Sequence, residues 1–319
     1  MICRMEKKGV IFTIVAILLV GILIGSAALM SREMYNQKSY IALSRVSSMN
    51  DFISSVEQDA GRSLMIAGYR SIISIQKKVS NNATFIANFS DVFEEIMLNG
   101  TIDGQAQDLM ANASVNDWVK RINEEANKVN INLVIIPISV KTYQKDPWTI
   151  TIQFNATINV TDFNNLAYWH YNKSFEKDID IVSFEDPLYT VNSNNKVTNI
   201  IMRDNNSDFV DRATNDTANL YNHMNNSFYI ASPNAPSFLQ RFEGNLSPSP
   251  YGIESLVNLV DFSKQSVPTF GRSVIDYEYF NMNYNGTDRC NMPGMPSWFR
   301  IDQDRLSSYN LTGLGGSCP

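Results

Sequence analysis

Apolar residues fall into three rhythms along the 319-residue chain. From Val10 to Met30 no charged residue interrupts them, and as a helix this run would be about 31 Å long, enough to cross the core of a bilayer. Between Tyr35 and Ala67 the spacing changes, mostly to steps of three and four. Tyr35, Ala42, Val46, Met49, Ile53, Val56, Ala60, Leu64 and Ala67 draw one stripe that extends the first helix. Gly61 and Gly68 are expected to bend or loosen it. Such a stripe packs either on the protein's own globular part or on another molecule, and periodicity alone does not choose.

The third rhythm is strict alternation. In WTITIQFNATINVT (148–161), Trp148, Ile150, Ile152, Phe154, Ala156, Ile158 and Val160 alternate with Thr, Gln or Asn, the period of a strand with one buried face. This stretch and INLVIIPISVKTY flank Gln144-Lys145-Asp146-Pro147, which predicts an antiparallel hairpin. Residues 80–113 predict shorter helices and loops. In SVNDWVKRINEEANKVN, Ser114 followed by Asp117 predicts a capped helix start, with Trp118, Ile122 and Val129 on one face. KDIDIVSF and SVIDYEYFNMNY are further strand candidates, and Asn192 to Asn226 is a polar insertion. All eleven prolines lie at or after Pro137, so the character of the chain changes near residue 130. The predicted class is α+β. It comprises a basic leader (1–9), a transmembrane helix (10–30), a helical stalk (31–130) and a β-rich domain (131–319).

Composition adds a location. Charged residues are 18% of the chain, below the roughly 25% of an average soluble protein. Net charge is −6 with no basic stripe, which argues against a nucleic-acid partner. Asparagine is abundant, and N-x-S/T triplets occur at Asn82, Asn88, Asn99, Asn112, Asn155, Asn159, Asn172, Asn205, Asn215, Asn225, Asn245, Asn285 and Asn310. Random placement of the same residues gives roughly five, so these positions are read as N-glycosylation acceptors. Asn155 and Asn159 fall on the polar side of the alternating strand. Arg4, Lys7 and Lys8 precede the apolar run, so the positive-inside rule keeps the N-terminus cytoplasmic and sends the sequons outside.

Lys7-Lys8-Gly9, a short basic leader ending in Gly directly before an apolar helix, resembles the class III signal peptide of type IV pilins and archaeal pilin-like surface proteins. FEDPLYTV (184–191), APSFLQRFEGNLSPSPYGIESLV (235–257), SVIDYEYF (273–280) and GMPSWFRID (294–302) are similar to segments of such archaeal proteins. The resemblance implies cleavage by a membrane prepilin peptidase between Gly9 and Val10. It also implies anchoring in the cell membrane, and contact with other pilin-like subunits through the N-terminal helix. The implied role is structural or adhesive, as a minor component of a pilus-like filament, without catalysis or cofactor. One departure is Ile14, which stands where bacterial major pilins carry Glu at the fifth mature position. Two other readings of the N-terminus stay open: an uncleaved signal anchor, and a secretory signal cut near Ser26-Ala27-Ala28. The competing function is an extracellular hydrolase or carbohydrate-binding module on a signal anchor.

Of three cysteines, Cys3 lies in the leader, and its removal leaves Cys290 and Cys318 as an expected disulfide. No catalytic motif is present, and no catalytic residue or metal ligand is assigned. His170, within Tyr168-Trp169-His170-Tyr171, is expected to pack among aromatics, and His223 to lie on the surface. The acidic pairs Glu185-Asp186 and Asp276-x-Glu278 are the nearest candidates for two-carboxylate hydrolysis. Asp302-Gln303-Asp304 offers hard oxygen ligands of the kind calcium takes. Trp298, Phe299 and Tyr309 are read as core aromatics before a sugar-stacking platform.

Overall fold

The computed structural model describes residues 7–206, 208–284, 286, 288–314 and 316–318. Cys3, with the rest of residues 1–6, and Asn285 lie outside the described residues. The first helix, α1, is a single element of 76 residues, Lys7–Asn82, about 114 Å at 1.5 Å per residue. Gly61 and Gly68 do not break it. A Cβ at Gly68 would stand 2.0 Å from Ile152 Cδ1 and 3.0 Å from Ile179 Cδ1, and one at Gly61 would stand 2.7 Å from Lys177 Cε. These glycines let the helix lie close against a sheet, and that packing offsets the roughly 1 kcal/mol that each costs in helix propensity.

The sheet has three antiparallel strands: Ile131–Asp146, Thr149–Asp162 in the centre, and Tyr168–Asp180. The expected hairpin is present, with Val140 opposite Phe154 and Ile135 opposite Ile158. A bulge at Pro137–Ser139 shifts the register of the first strand, where proline has no N–H for the ladder. Ile150, Ile152, Phe154, Ala156, Ile158 and Val160 are all buried under the helices, as the alternation predicts. Thr151 departs from the pattern. It is fully buried on the other face, where its hydroxyl donates to Asp178 Oδ1 at 2.8 Å.

Two helices join α1 on the covered face. Helix α2, Phe89–Asn99, is capped by Asn88 and buries Phe89, Phe93, Ile96 and Met97. Helix α3, Val115–Lys128, starts with the expected capping box, Ser114 and Asp117 each bonding the other's backbone. Trp118 is buried and its indole Nε1 donates to Asp59 Oδ2 at 2.9 Å, whereas Val129 is the exposed C-cap and does not share that face. Met49, Val56, Ala60, Leu64 and Ala67 of the stripe pack with these helices and the sheet, so from residue 49 onward the stripe serves the protein's own core. The open face of the sheet carries Asn155, Thr157 and Asn159 opposite Ser174, Asn172 and His170.

Beyond Asp180 regular structure is sparse: short helices, two-stranded pairs and turns enclose a second apolar cluster containing Leu188, Leu220, Phe262, Ile275, Phe299 and Tyr309. SVIDYEYF is not a strand. Asp276–Phe280 forms a short helix in which all five side chains are buried, so alternation there had no solvent face to mark. Cys290 and Cys318 are disulfide-bonded, and Asn291 N–H donates to Ser317 O beside them. Together these contacts tie the C-terminal tail to the domain.

Candidate functional site

Helix α1 has two unlike halves. Every side chain described from Phe12 to Ile41 is exposed, including Phe12, Ile17, Leu18, Ile22, Leu23 and Leu29. This helix is long and apolar enough to cross a membrane, and none of its most apolar 18-residue window is buried. Burial begins at Met49. Arg45 marks the junction: its Nε donates to Asp162 Oδ1 at 2.7 Å, and its Nη2 to the carbonyls of Val129 and Asn130 at 2.8 Å each. One side chain thus ties the helix to the ends of α3 and the central strand. Lys7, Lys8, Gly9 and Val10 belong to the first turns of the same helix.

The sequons lie mostly on the surface. Asn82, Asn88, Asn99, Asn112, Asn172, Asn205, Asn215, Asn225, Asn245 and Asn310 are exposed, while Asn155 and Asn159 are half-buried in the central strand. Asn155 Nδ2 donates to Ser139 Oγ at 3.2 Å, and Asn172 Oδ1 accepts from Thr157 at 2.8 Å.

The histidines exchange their expected places. His170 is exposed on the edge strand, where it stacks on Tyr168 with ring centroids 6.4 Å apart and its Nδ1 meets Asn159 Oδ1. His223 is fully buried among Phe209, Phe228 and Tyr309, and its Nδ1 lies 2.6 Å from Asp204 Oδ2. The Asn-rich insertion that suggested a surface position folds back through Phe209, Leu220 and Met224 onto the second core. Phe299 and Tyr309 are also fully buried, in agreement with core packing.

The acidic pairs read from the sequence do not act as pairs. Asp186 and Asp276 instead share Arg241, whose Nη1 donates to Asp186 Oδ2 at 2.5 Å and to Asp276 Oδ2 at 2.8 Å. All three side chains are fully buried. Arg241 Nη2 donates to the Ile253 carbonyl, and the Tyr229 hydroxyl donates to Asp186 Oδ2 at 2.7 Å. Burial works against the Arg241 charge, but Asp186 and Asp276 outweigh it and strengthen its hold on the proton. No sequence feature marked Arg241; it stands between Phe238 and Phe242 in a stretch that reads as apolar.

Acidic groups outnumber bases in this interior. The side chains of Glu254, Glu278 and Asp302 are also buried, and Arg305, whose Nε donates to Glu278 Oε1 at 3.2 Å, is the second guanidinium among them. Burial pushes the Glu254 carboxyl above its usual range, and that of Glu278 up to about 7. Asp276 and Asp302 are also raised, by burial first. Neither Glu254 oxygen reaches hydrogen-bond geometry, although Ser232 and Tyr309 stand near enough to work against the rise. A carboxyl raised in the folded state costs nothing below its unfolded pKa, where both states are protonated. As pH rises past that value, the unfolded group ionises while the folded one keeps its proton, and stability falls. Between pH 4 and 8 the wild type should therefore lose stability relative to Glu254→Gln, by up to about 1.4 kcal/mol per pH unit until the folded group ionises. Urea unfolding of both proteins across that range checks this. Parallel curves would assign the slope to other groups.

Glu278, Asp302 and Asp304 form a second acidic cluster, each offering an oxygen within 4.8 Å of the others. Asp302 and Asp304 line an open cleft of about 500 Å³ together with Tyr284, Gly286, Asp288 and Gln303. Asp302 follows from the pairing of Arg289–Cys290 with Ile301–Asp302, and Glu278 from the short helix Asp276–Phe280. The sequence pointed to Asp302 and Asp304 through their spacing but not to Glu278 as their companion. No protein-family model matches the chain, and neither does any curated protein or solved structure.

Proposed function

We infer that the chain is a membrane-anchored, pilin-like surface protein with a structural or adhesive role. The observation that carries this reading is the division of α1. Every described side chain from Phe12 to Ile41 is uncovered, with an apolar run to Met30, and the C-terminal half of the helix is built into an antiparallel α+β head. An apolar surface of that length is stable only in lipid or against other apolar helices. The basic leader ending at Gly9 supplies a processing signal, and the excess of exposed sequons supports display outside the cell. The hydrolase alternative would draw on the cleft at Asp302.

The head needs half of the helix. A chain beginning at residue 41 keeps Arg45 and the buried stripe, and should be soluble and folded. A chain beginning at Asn81 lacks Met49, Val56, Ala60, Leu64, Ala67, Ile72, Ile75 and Val79 and should not fold. Full-length protein should partition with membranes and extract only in detergent. Membrane fractionation and circular dichroism of the three chains decide the matter. A 41–319 chain that still sediments with membranes, or a full-length chain that is freely soluble, would contradict the reading.

A further inference from the structure

We propose that Glu278, Asp302 and Asp304 form a calcium-binding site, with the open cleft beside Asp302 as its solvent-facing side. This goes beyond the surface-protein reading and does not depend on it. Three observations carry the inference.

The first is a shortage of partners. Asp302 is 3% exposed and neither of its carboxylate oxygens has a hydrogen-bond partner. Tyr284 and Glu278 stand near enough to influence it without reaching hydrogen-bond geometry. An ionised carboxylate removed from water and left unpaired is costly, so a buried one calls for a cation or a proton. The second is charge balance. Asp186, Glu254, Asp276, Glu278 and Asp302 are buried, against Arg241 and Arg305. Arg241 is committed to Asp186 and Asp276, and Arg305 to Glu278 Oε1. Neither guanidinium pairs with Asp302; Arg289, opposite it in the strand pair, favours its charge from a distance without forming an ion pair, and a divalent cation placed between Asp302 and Asp304 would complete the balance.

The third is geometry. The three oxygens within 4.8 Å of one another are all carboxylate, with no His or Cys among them, which selects a hard cation over zinc or copper. Asp304 is 65% exposed and faces the cleft, so an ion there keeps room for several waters. Calcium accepts that mixture of carboxylates and water in a flexible six- to eight-oxygen shell, whereas magnesium demands a tighter octahedron. Gly286 completes the cradle, because a Cβ at that position would fall 2.4 Å from Asp302 Oδ2. Arg305 Nε lies 3.9 Å from Asp304 Oδ2, so a bound cation would share Asp304 with it.

The test uses full-length protein in detergent, stripped with a chelator. Terbium luminescence excited through tyrosine should appear on titration and be displaced by calcium, and calcium should raise the thermal midpoint more than magnesium does. Asp302→Asn should abolish both responses. In chelator it should unfold no earlier than wild type, because it removes an unpaired buried carboxylate. Asp304→Asn changes an exposed side chain, so it keeps the test valid if Asp302→Asn fails to fold. It should weaken calcium binding at least about tenfold. Wild-type protein whose midpoint ignores calcium, or both variants retaining the wild-type calcium response, would overturn the proposal.

Discussion

Ile152→Asp is expected to unfold the head or to destabilise it by about 4 kcal/mol or more, the cost of leaving an unpaired carboxylate in an apolar interior. Ile152 is fully buried at the centre of the sheet, with its Cδ1 against Gly68 of α1. The new carboxylate would meet the helix backbone at its closest approach, and Lys177, opposite on the neighbouring strand, is exposed with its side chain running beside Gly61. Thr157→Asp, on the same strand but the open face, should cost under about 1 kcal/mol in unglycosylated protein. Thr157 is only half-buried and bonds Asn172, which can turn to water. Thr151 is a poor control for this comparison, because it is buried and its hydroxyl already serves Asp178. Chemical unfolding of the two variants gives the comparison. Equal tolerance of Asp at 152 and 157 would mean that the sheet does not bury its even-numbered face.

Arg241→Met should be comparably damaging, by about 3–5 kcal/mol, since removing one partner of a buried ion network leaves its counter-charges uncompensated. Here two carboxylates, Asp186 and Asp276, lose the same partner, along with the Ile253 carbonyl. Both aspartates retain other donors: the Tyr229 hydroxyl and Leu188 N–H for Asp186, and the Ser255 hydroxyl and Tyr277 N–H for Asp276. Adding Asp186→Asn and Asp276→Asn to Arg241→Met should therefore recover part of the loss, because the neutral amides need no counter-ion. Arg241→Lys should not substitute, since a single ammonium cannot reproduce the fork that reaches two acids and a carbonyl. Thermal unfolding of the single and triple variants measures the coupling. A triple variant no more stable than Arg241→Met would mean that charge is not what the arginine contributes.

Elements with a wet face and a dry face could be read from their periodicity. The hairpin, the capping box at Ser114 and the stripe from Met49 to Ala67 all emerge from the sequence, because burial on one side imprints a period of two or of 3.6. The region after Asp180 carries no such imprint. Its short helices are buried all round, so Asp276–Phe280 looks like a strand and His223 looks superficial. Gly61 and Gly68 were legible as departures from helix propensity, but their purpose depends on which strand lies above them. The carboxylate cluster was half legible: Asp302 and Asp304 are neighbours in sequence, whereas Glu278 reaches them only through the folding of the second core. Arg241 gave no signal, since one arginine between phenylalanines looks like a surface residue until its two aspartates are brought beside it.

On the function proposed above, α1 enters the membrane as the processed start of a pilin-like surface protein. Intact-mass and N-terminal peptide analysis of the membrane-bound protein from its native host tests it most directly. The account predicts a mature chain beginning at Val10, cut after Gly9. A membrane-embedded protein that retains Met1 or Met5, or one that begins near Leu29, would contradict it.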